Sequence, residues 1–177
     1  MASLLHDNAN CLEQIRRLLT DLPGEAYRCA HPAVFDASIG QHLRHVVDHY
    51  EQFLGGLDEG VIDYSRRSRR QAVETDRSTA VGLLEDQQAA LRRLAEAGLD
   101  LDEPVEVHEE ADGADAAPAA STLRRELQFL LSHTVHHCAL IGVICRQTEQ
   151  ALPEGFGIAP STLRYRAARR QPTEGRS

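Results

Sequence analysis

The sequence predicts an all-α protein, an up-and-down four-helix bundle with long connections. Apolar residues recur at helical spacing in four separate segments, and aromatic residues make up only 5% of the chain, with no Trp. The 177 residues are the size of one domain, and we find no internal repeat. We therefore expect a single domain over residues 1–177, with a turn-rich tail from about residue 153.

Local start and stop signals bound the first two predicted helices. An apolar stripe begins at Leu4, and Pro23 stops the first helix shortly after the stripe ends. Ser38, with Gln41 three residues later, has the form of a capping box that opens a second helix.

The third and fourth predicted helices have equally clear limits. The third begins near Ser78 and ends before Gly98, which stands in the position that follows a helix C-terminus. The fourth begins near Ser121 or Thr122 and continues to about Gln150. It is apolar almost all round, which is typical of a buried helix.

The connections between these helices carry weaker patterns. Residues of about 60–75 are irregular and rich in arginine, and residues 103–118 contain a brief strand-like stretch. This stretch leaves two alternatives open, a small hairpin or an irregular loop. The tail ends in a polar segment that we expect to be mobile.

Composition excludes several classes of function. A net charge of −8 argues against general nucleic-acid binding, which requires a basic face. All 19 basic residues are arginine, so a Schiff-base lysine and a P-loop lysine are excluded. The longest apolar run, Cys138 to Cys145, is far shorter than the roughly 20 residues that span a bilayer. With no signal peptide and no CxxC pair, we expect a cytoplasmic protein that binds neither membrane nor nucleic acid.

Two clusters of histidines are the strongest functional signal. Residues four apart on a helix are neighbours, so each cluster places several imidazoles along one helix face. Neutral imidazole is the commonest protein metal ligand, and two packed helices would offer three or more nitrogens to one ion. The second helix carries His42, His45 and His49, and the fourth carries His133, His136 and His137.

The residues alone leave open which histidine of the second helix binds a metal. At 100° per residue, His42 and His49 lie about 20° apart beside the apolar stripe, and His45 lies farther round. His133 and His137 point within about 40° of each other. Three imidazoles and an open position would make a catalytic type of site, for which Zn²⁺ is the default and Ni²⁺ or Fe²⁺ are alternatives.

A metal-free interpretation competes with this one. A single HxxxH pair is a weak signal, and the histidines of a polar seam can instead bond to backbone groups and carboxylates such as Asp48. In a metal site the same Asp48 would fix the tautomer of a ligand ring. Two clusters on separate amphipathic helices favour the metal.

The segment SIGQHLRH, residues 38–45, and the HxxHH motif of residues 133–137 resemble the DinB-like metal-dependent four-helix superfamily. The resemblance covers roughly residues 5–165. It implies one ligand on the second helix and two on the fourth, which are His45, His133 and His137 in this sequence. The additional imidazoles near such a site are His42, His49 and His136.

The resemblance implies a metal-dependent enzyme, since known relatives include transferases that use low-molecular-weight thiols. We expect a thiol S-transferase or isomerase, with a hydrolase as another candidate, acting on a small molecule or thiol at a Zn, Ni or Fe ion. Arg66, Arg67 and Arg70 are candidates to bind an anionic group. The alternative is a non-catalytic binding or stress-response module in which the ion only stabilises the fold. An apolar outer helix face would also permit a homodimer.

Overall fold

The computed structural model describes residues 4–109 and 117–170. These residues form a mostly helical protein with a small three-stranded sheet. In chain order the α-helices are α1 (Leu4–Asp21), α2 (Gly24–Arg28), α3 (Ile39–Gly55), α4 (Gln71–Thr75), α5 (Arg77–Glu96), α6 (Leu123–Gln147) and α7 (Pro160–Arg170). The strands are β1 (Val61–Asp63), β2 (Pro104–His108) and β3 (Ala119–Thr122), and two 3₁₀ helices cover Pro32–Val34 and Tyr64–Arg66.

The four long helices begin and end close to the predicted positions. The capping box of α3 is present, because the Gln41 backbone N–H donates to Ser38 Oγ at 3.1 Å and the Ser38 N–H donates to Gln41 Oε1 at 2.9 Å. Gly98 follows α5 with a φ of 71°, the left-handed conformation that glycine adopts most easily there. Thr122 caps α6 by accepting a hydrogen bond from the Arg125 N–H at 3.3 Å.

The core lies between these helices. α1 packs against α5 and α6, and α3 packs against the same two helices. Their apolar stripes face inward and supply a continuous set of buried aliphatic side chains, among them Leu12, Ile15, Leu43, Leu84 and Leu127. Burial of each such side chain stabilises the fold by about 1.5–3 kcal/mol.

Among the described residues, α6 has the length and apolar composition of a membrane span. However, 44% of its most apolar window is buried inside the protein, and the helix contacts α1 and α3. Core helices of soluble proteins meet the same criteria of length and composition. The absence of membrane association stays a prediction.

The sheet settles one alternative that the sequence left open. The strand-like stretch is strand β2, which pairs antiparallel with β3 as in the predicted hairpin, and residues 110–116 between the two strands lie outside the described residues. β1 pairs in parallel with β2, and Val61 lies opposite Glu106. This pairing fixes the start of the arginine-rich segment beside α3.

Three short helices were missed by the sequence prediction, namely α2, α4 and α7. α7 lies in the segment expected to be a turn-rich tail, although the predicted turns do precede it at residues 154–157. Arg164 of α7 donates to both carboxylate oxygens of Asp7 in α1, at 2.9 and 3.1 Å. The polar end of the tail, residues 171–177, lies outside the described residues.

Candidate metal centre

Packing of α3 against α6 brings the two histidine clusters together. The ring centroids of His45 and His133 are 4.8 Å apart, and those of His133 and His137 are 4.6 Å apart. The His45 and His137 centroids are 4.8 Å apart, so the three predicted ligands form one cluster. His49 joins the same cluster, because its ring centroid lies 4.4 Å from those of His45 and His133.

The nitrogens of one histidine trio lie particularly close together. Among the described residues, His45, His49 and His133 each offer a ligand nitrogen, and these nitrogens all lie within 4.8 Å of one another. The trio contains two of the three predicted ligands and has His49 where the prediction had His137. A metal ion lies about 2 Å from each imidazole nitrogen, so one ion could be shared by these three rings once they draw slightly closer together.

One hydrogen bond orients His49 for binding an ion, and a second joins His137 to His42. The Nδ1–H of His49 donates to the backbone oxygen of His45 at 2.7 Å. The lone pair of His49 is therefore on Nε2, the usual arrangement in a metal-binding imidazole. The Nδ1 atoms of His42 and His137 are 3.1 Å apart, so one of them donates to the other. When His137 is the donor, its Nε2 also keeps a lone pair.

Two buried nitrogens support the same interpretation. Among the described residues, His42 Nε2 and His133 Nε2 are buried without a hydrogen-bond partner. A buried polar atom without a partner costs about 1–3 kcal/mol. A divalent ion at the cluster would satisfy His133, so the residues present fit a metal.

The pKa values of the clustered imidazoles are lowered, which favours the neutral form that binds metal ions. Burial, together with the nearby rings of His49 and His133, lowers the pKa of His45 to about 3. Burial and neighbouring imidazoles likewise lower the pKa of His133 to about 4 and that of His137 to about 2. Burial also lowers the pKa values of His42 and His49.

A cavity of about 480 Å³ opens beside the cluster. His45, His49 and His133 form part of its wall, and the rest is lined by Tyr64, Arg67, Glu109 and Phe129. The Tyr64 hydroxyl donates to Glu126 at 3.1 Å, and Glu126 also accepts from Ser121 Oγ. This buried carboxylate therefore anchors an aromatic wall of the cavity.

Residues 9–141 match the sequence model of a family described as the DinB superfamily. The chain belongs to the DinB superfamily. The resemblance noted in the sequence is thereby confirmed over most of the chain. A curated protein from Rhizopus delemar named FK506-binding protein 5 is 31% identical over 107 residues, 59% of this chain. The chain spans only 27% of the length of that relative. No solved structure matches.

Asp48 of this DinB-superfamily protein is hydrogen-bonded to the arginine-rich segment. Its carboxylate accepts hydrogen bonds from Ser68 Oγ at 2.9 Å and from the Arg69 N–H at 3.2 Å. Among the described residues its hydrogen bonds thus run to the arginine-rich segment, whereas the sequence made Asp48 a candidate partner of a ligand ring. Its charge still acts on the neighbouring His49, where it opposes the lowering of the pKa.

The three candidate anion-binding arginines occupy different surroundings. Arg66 is largely exposed and forms an ion pair with Asp63 at 3.1 Å. Arg70 forms an ion pair with Glu51 at 2.9 Å. Arg67 alone of the three lines the cavity, where its guanidinium lies 2.9 Å from His45 Nδ1.

Sequence reasoning missed three residues of the cavity wall. Tyr64, Glu109 and Phe129 line the cavity, but no spacing rule connects them to the histidines. The position of Phe129 one helical turn before His133 was the single available signal. His136 is exposed, with its ring centroid 5.2 Å from that of His137.

Proposed function

We propose that this protein binds one divalent metal ion through His45, His133 and His137, with His49 as a fourth imidazole in reach. The observation that carries the proposal is the cluster itself, in which the nitrogens of His45, His49 and His133 lie within 4.8 Å of one another. His45 and His133 belong both to the three proposed ligands and to this closely spaced trio. Zinc is the default ion for such ligands, with nickel and iron as alternatives.

We further propose that the site acts on a low-molecular-weight thiol, as an S-transferase or isomerase. Neutral imidazoles leave the charge of a divalent ion uncompensated, which favours an anionic ligand such as a thiolate. The cavity of about 480 Å³ has room for a small thiol beside the histidines. When bound, the metal supplies a Lewis acid that lowers the pKa of the thiol.

In the proposed transfer, the thiol proton passes to solvent and the sulfur lone pair forms a bond with an electrophilic carbon. The leaving group departs from that carbon with the electron pair of the broken bond. Tyr64 and Phe129 would enclose the apolar part of the second substrate, since both rings line the cavity.

A second candidate function is a non-catalytic module in which the ion only stabilises the fold. It is favoured by the origin of the ligands, because His45 lies in α3 and His133 and His137 lie in α6. An ion bound to all three would cross-link two long helices. Such a module would not require access for a thiol.

Spectroscopy of the cobalt-substituted protein separates these two functions. A thiolate that binds the Co²⁺ ion would add a sulfur-to-metal charge-transfer band in the near-ultraviolet when mercaptoacetate is added. The thiol-dependent enzyme predicts this band in the wild type and its loss in His45→Ala. A visible spectrum that mercaptoacetate leaves unchanged would favour the non-catalytic module.

We also propose that the four long helices form an up-and-down bundle. The pairing of α1 and of α3 with both α5 and α6 supports this arrangement. We likewise propose a cytoplasmic location, to be tested by cell fractionation, and a homodimer, to be tested by light scattering.

A further inference from the structure

Arg67 is hydrogen-bonded to His45, one of the proposed metal ligands. Its guanidinium lies 2.9 Å from His45 Nδ1, and a guanidinium can only donate hydrogen bonds. His45 Nδ1 is therefore the acceptor, and the single proton of the neutral imidazole is on Nε2. In this state neither nitrogen of His45 has a lone pair available for an ion.

We propose that Arg67 and a divalent ion compete for His45, so that metal binding releases the guanidinium to bind an anionic group of the substrate. The anionic group is a carboxylate on the same small thiol, held between the ion and Arg67. This inference rests on the proposed function. It adds an order of events, in which the anion site is completed only after the metal has bound.

The imidazole ligands explain why the metal ion and the Arg67 guanidinium cannot both bind His45. The ligand trio around His45 consists of imidazoles, which contribute no negative charge, and the carboxylate of Glu109 lines the same cavity outside this trio. Two cations on one ring would repel each other, and binding through either nitrogen of His45 requires the hydrogen bond to Arg67 to break. An anion between the ion and Arg67 would be attracted by both.

The backbone on both sides of Arg67 is fixed, so the release involves the side chain. Before it, the 3₁₀ helix Tyr64–Arg66 continues from the paired strand β1. After it, Asp48 accepts hydrogen bonds from Ser68 and from the Arg69 backbone. Arg67 already lines the cavity, so in the proposed release its side chain turns from His45 toward the open space.

The neighbouring Arg66 provides a matched control. It lies one residue away in the same loop, its side chain is 83% exposed, and it pairs with Asp63. Arg67→Met removes the donor and the charge but keeps most of the aliphatic stem. Arg66→Met makes the same chemical change away from the cavity.

Zinc-binding isotherms of metal-free wild type, Arg67→Met and Arg66→Met test the competition. We expect Arg67→Met to bind Zn²⁺ at least tenfold more tightly than the wild type, since a charge-assisted hydrogen bond no longer has to break. Arg66→Met should match the wild type. Equal affinities in all three proteins would overturn the inference while leaving the metal site intact. Failure of all three to bind zinc would overturn the proposed function, and the inference with it.

The anion is tested on the cobalt-loaded proteins with mercaptoacetate and ethanethiol, which differ in the carboxylate. Arg67→Met should bind mercaptoacetate at least tenfold more weakly than the wild type and bind ethanethiol equally well. An unchanged affinity for mercaptoacetate would overturn the assignment of the anion to Arg67.

Nitrogen-15 NMR of the zinc-free wild type gives a further test that needs no variant. It should show the His45 proton on Nε2, and a proton on Nδ1 would overturn the competition.

Discussion

Replacement of His133 by alanine should separate a metal site from a structural polar seam. In the metal-free protein, His133→Ala removes a buried nitrogen without a hydrogen-bond partner among the described residues, which by itself should stabilise by about 1–3 kcal/mol. It also removes four ring contacts, at centroid distances of 4.4, 4.6, 4.8 and 5.4 Å, with His49, His137, His45 and Phe129. Each such contact contributes about 0.5–1.5 kcal/mol. The two effects oppose each other. At about 1 kcal/mol for each of the four contacts and about 2 kcal/mol for the nitrogen, we expect a net destabilisation of about 2 kcal/mol.

The metal-bound protein should respond much more strongly. Structural zinc sites with four ligands contribute about 10–16 kcal/mol, or about 3 kcal/mol per ligand, so loss of His133 should weaken binding by about 100-fold. At a zinc concentration of about 100 times the wild-type Kd, the wild type gains about 2.7 kcal/mol and the variant about 0.4 kcal/mol. For a chain of this size these gains raise the melting temperature by about 5–10 °C and about 1 °C.

Thermal melts with and without zinc measure both effects. His136→Ala is the control, because His136 is exposed and lies on the same helix; it should keep the full shift of the wild type. The reasoning is refuted if His133→Ala strongly destabilises the metal-free protein while zinc leaves the wild-type melting temperature unchanged. That pattern belongs to a metal-free polar seam.

Three further predictions concern a neighbour of the cluster, the pH dependence of stability and two glycines of the long helices. His42→Ala removes the partner of the His137 Nδ1 atom and should weaken zinc binding by about 10–100-fold in a chelator competition. His42→Gln, which keeps an acceptor, should recover part of the loss, and equal affinities would exclude the positioning role. The pKa of His137 is about 2 when folded and about 6.5 when unfolded, so the unfolded chain binds more protons below pH 6.5. Stability of the metal-free protein should therefore fall as the pH falls, by about 2 kcal/mol from this buried group at pH 5; urea midpoints that agree at pH 7 and pH 5 would contradict this. Gly40→Ala should destabilise by about 1–3 kcal/mol or more, since its Cβ would collide with the Glu74 carbonyl. Gly82→Ala, with open space around it, should instead stabilise the helix slightly in the same urea titration.

The long helices were predictable because each carries its own local signals. Ser38 and Gln41 define the start of α3 through hydrogen bonds within one turn. Gly98 marks the end of α5 by its backbone conformation. The histidine clusters were predictable for the same reason, since helical spacing fixes which side chains share a face.

The short elements depend on contacts that are distant in sequence. β1 is stabilised by pairing with β2, about 45 residues later. α4 packs against α3, where the Gly40 position brings the two backbones close together. The contact between Arg67 and His45 likewise requires the loop to fold back over α3. No local pattern encodes these contacts, so the cavity wall could not be derived from the sequence.

Calorimetric titration of the metal-stripped protein, purified without a histidine tag, tests the central claim most directly. We predict that one Zn²⁺ ion binds per chain and that binding is lost in the His45→Ala, His133→Ala double variant. An absence of saturable binding in the wild type, or an equal stoichiometry and affinity in the double variant, would contradict a metal centre at this cluster.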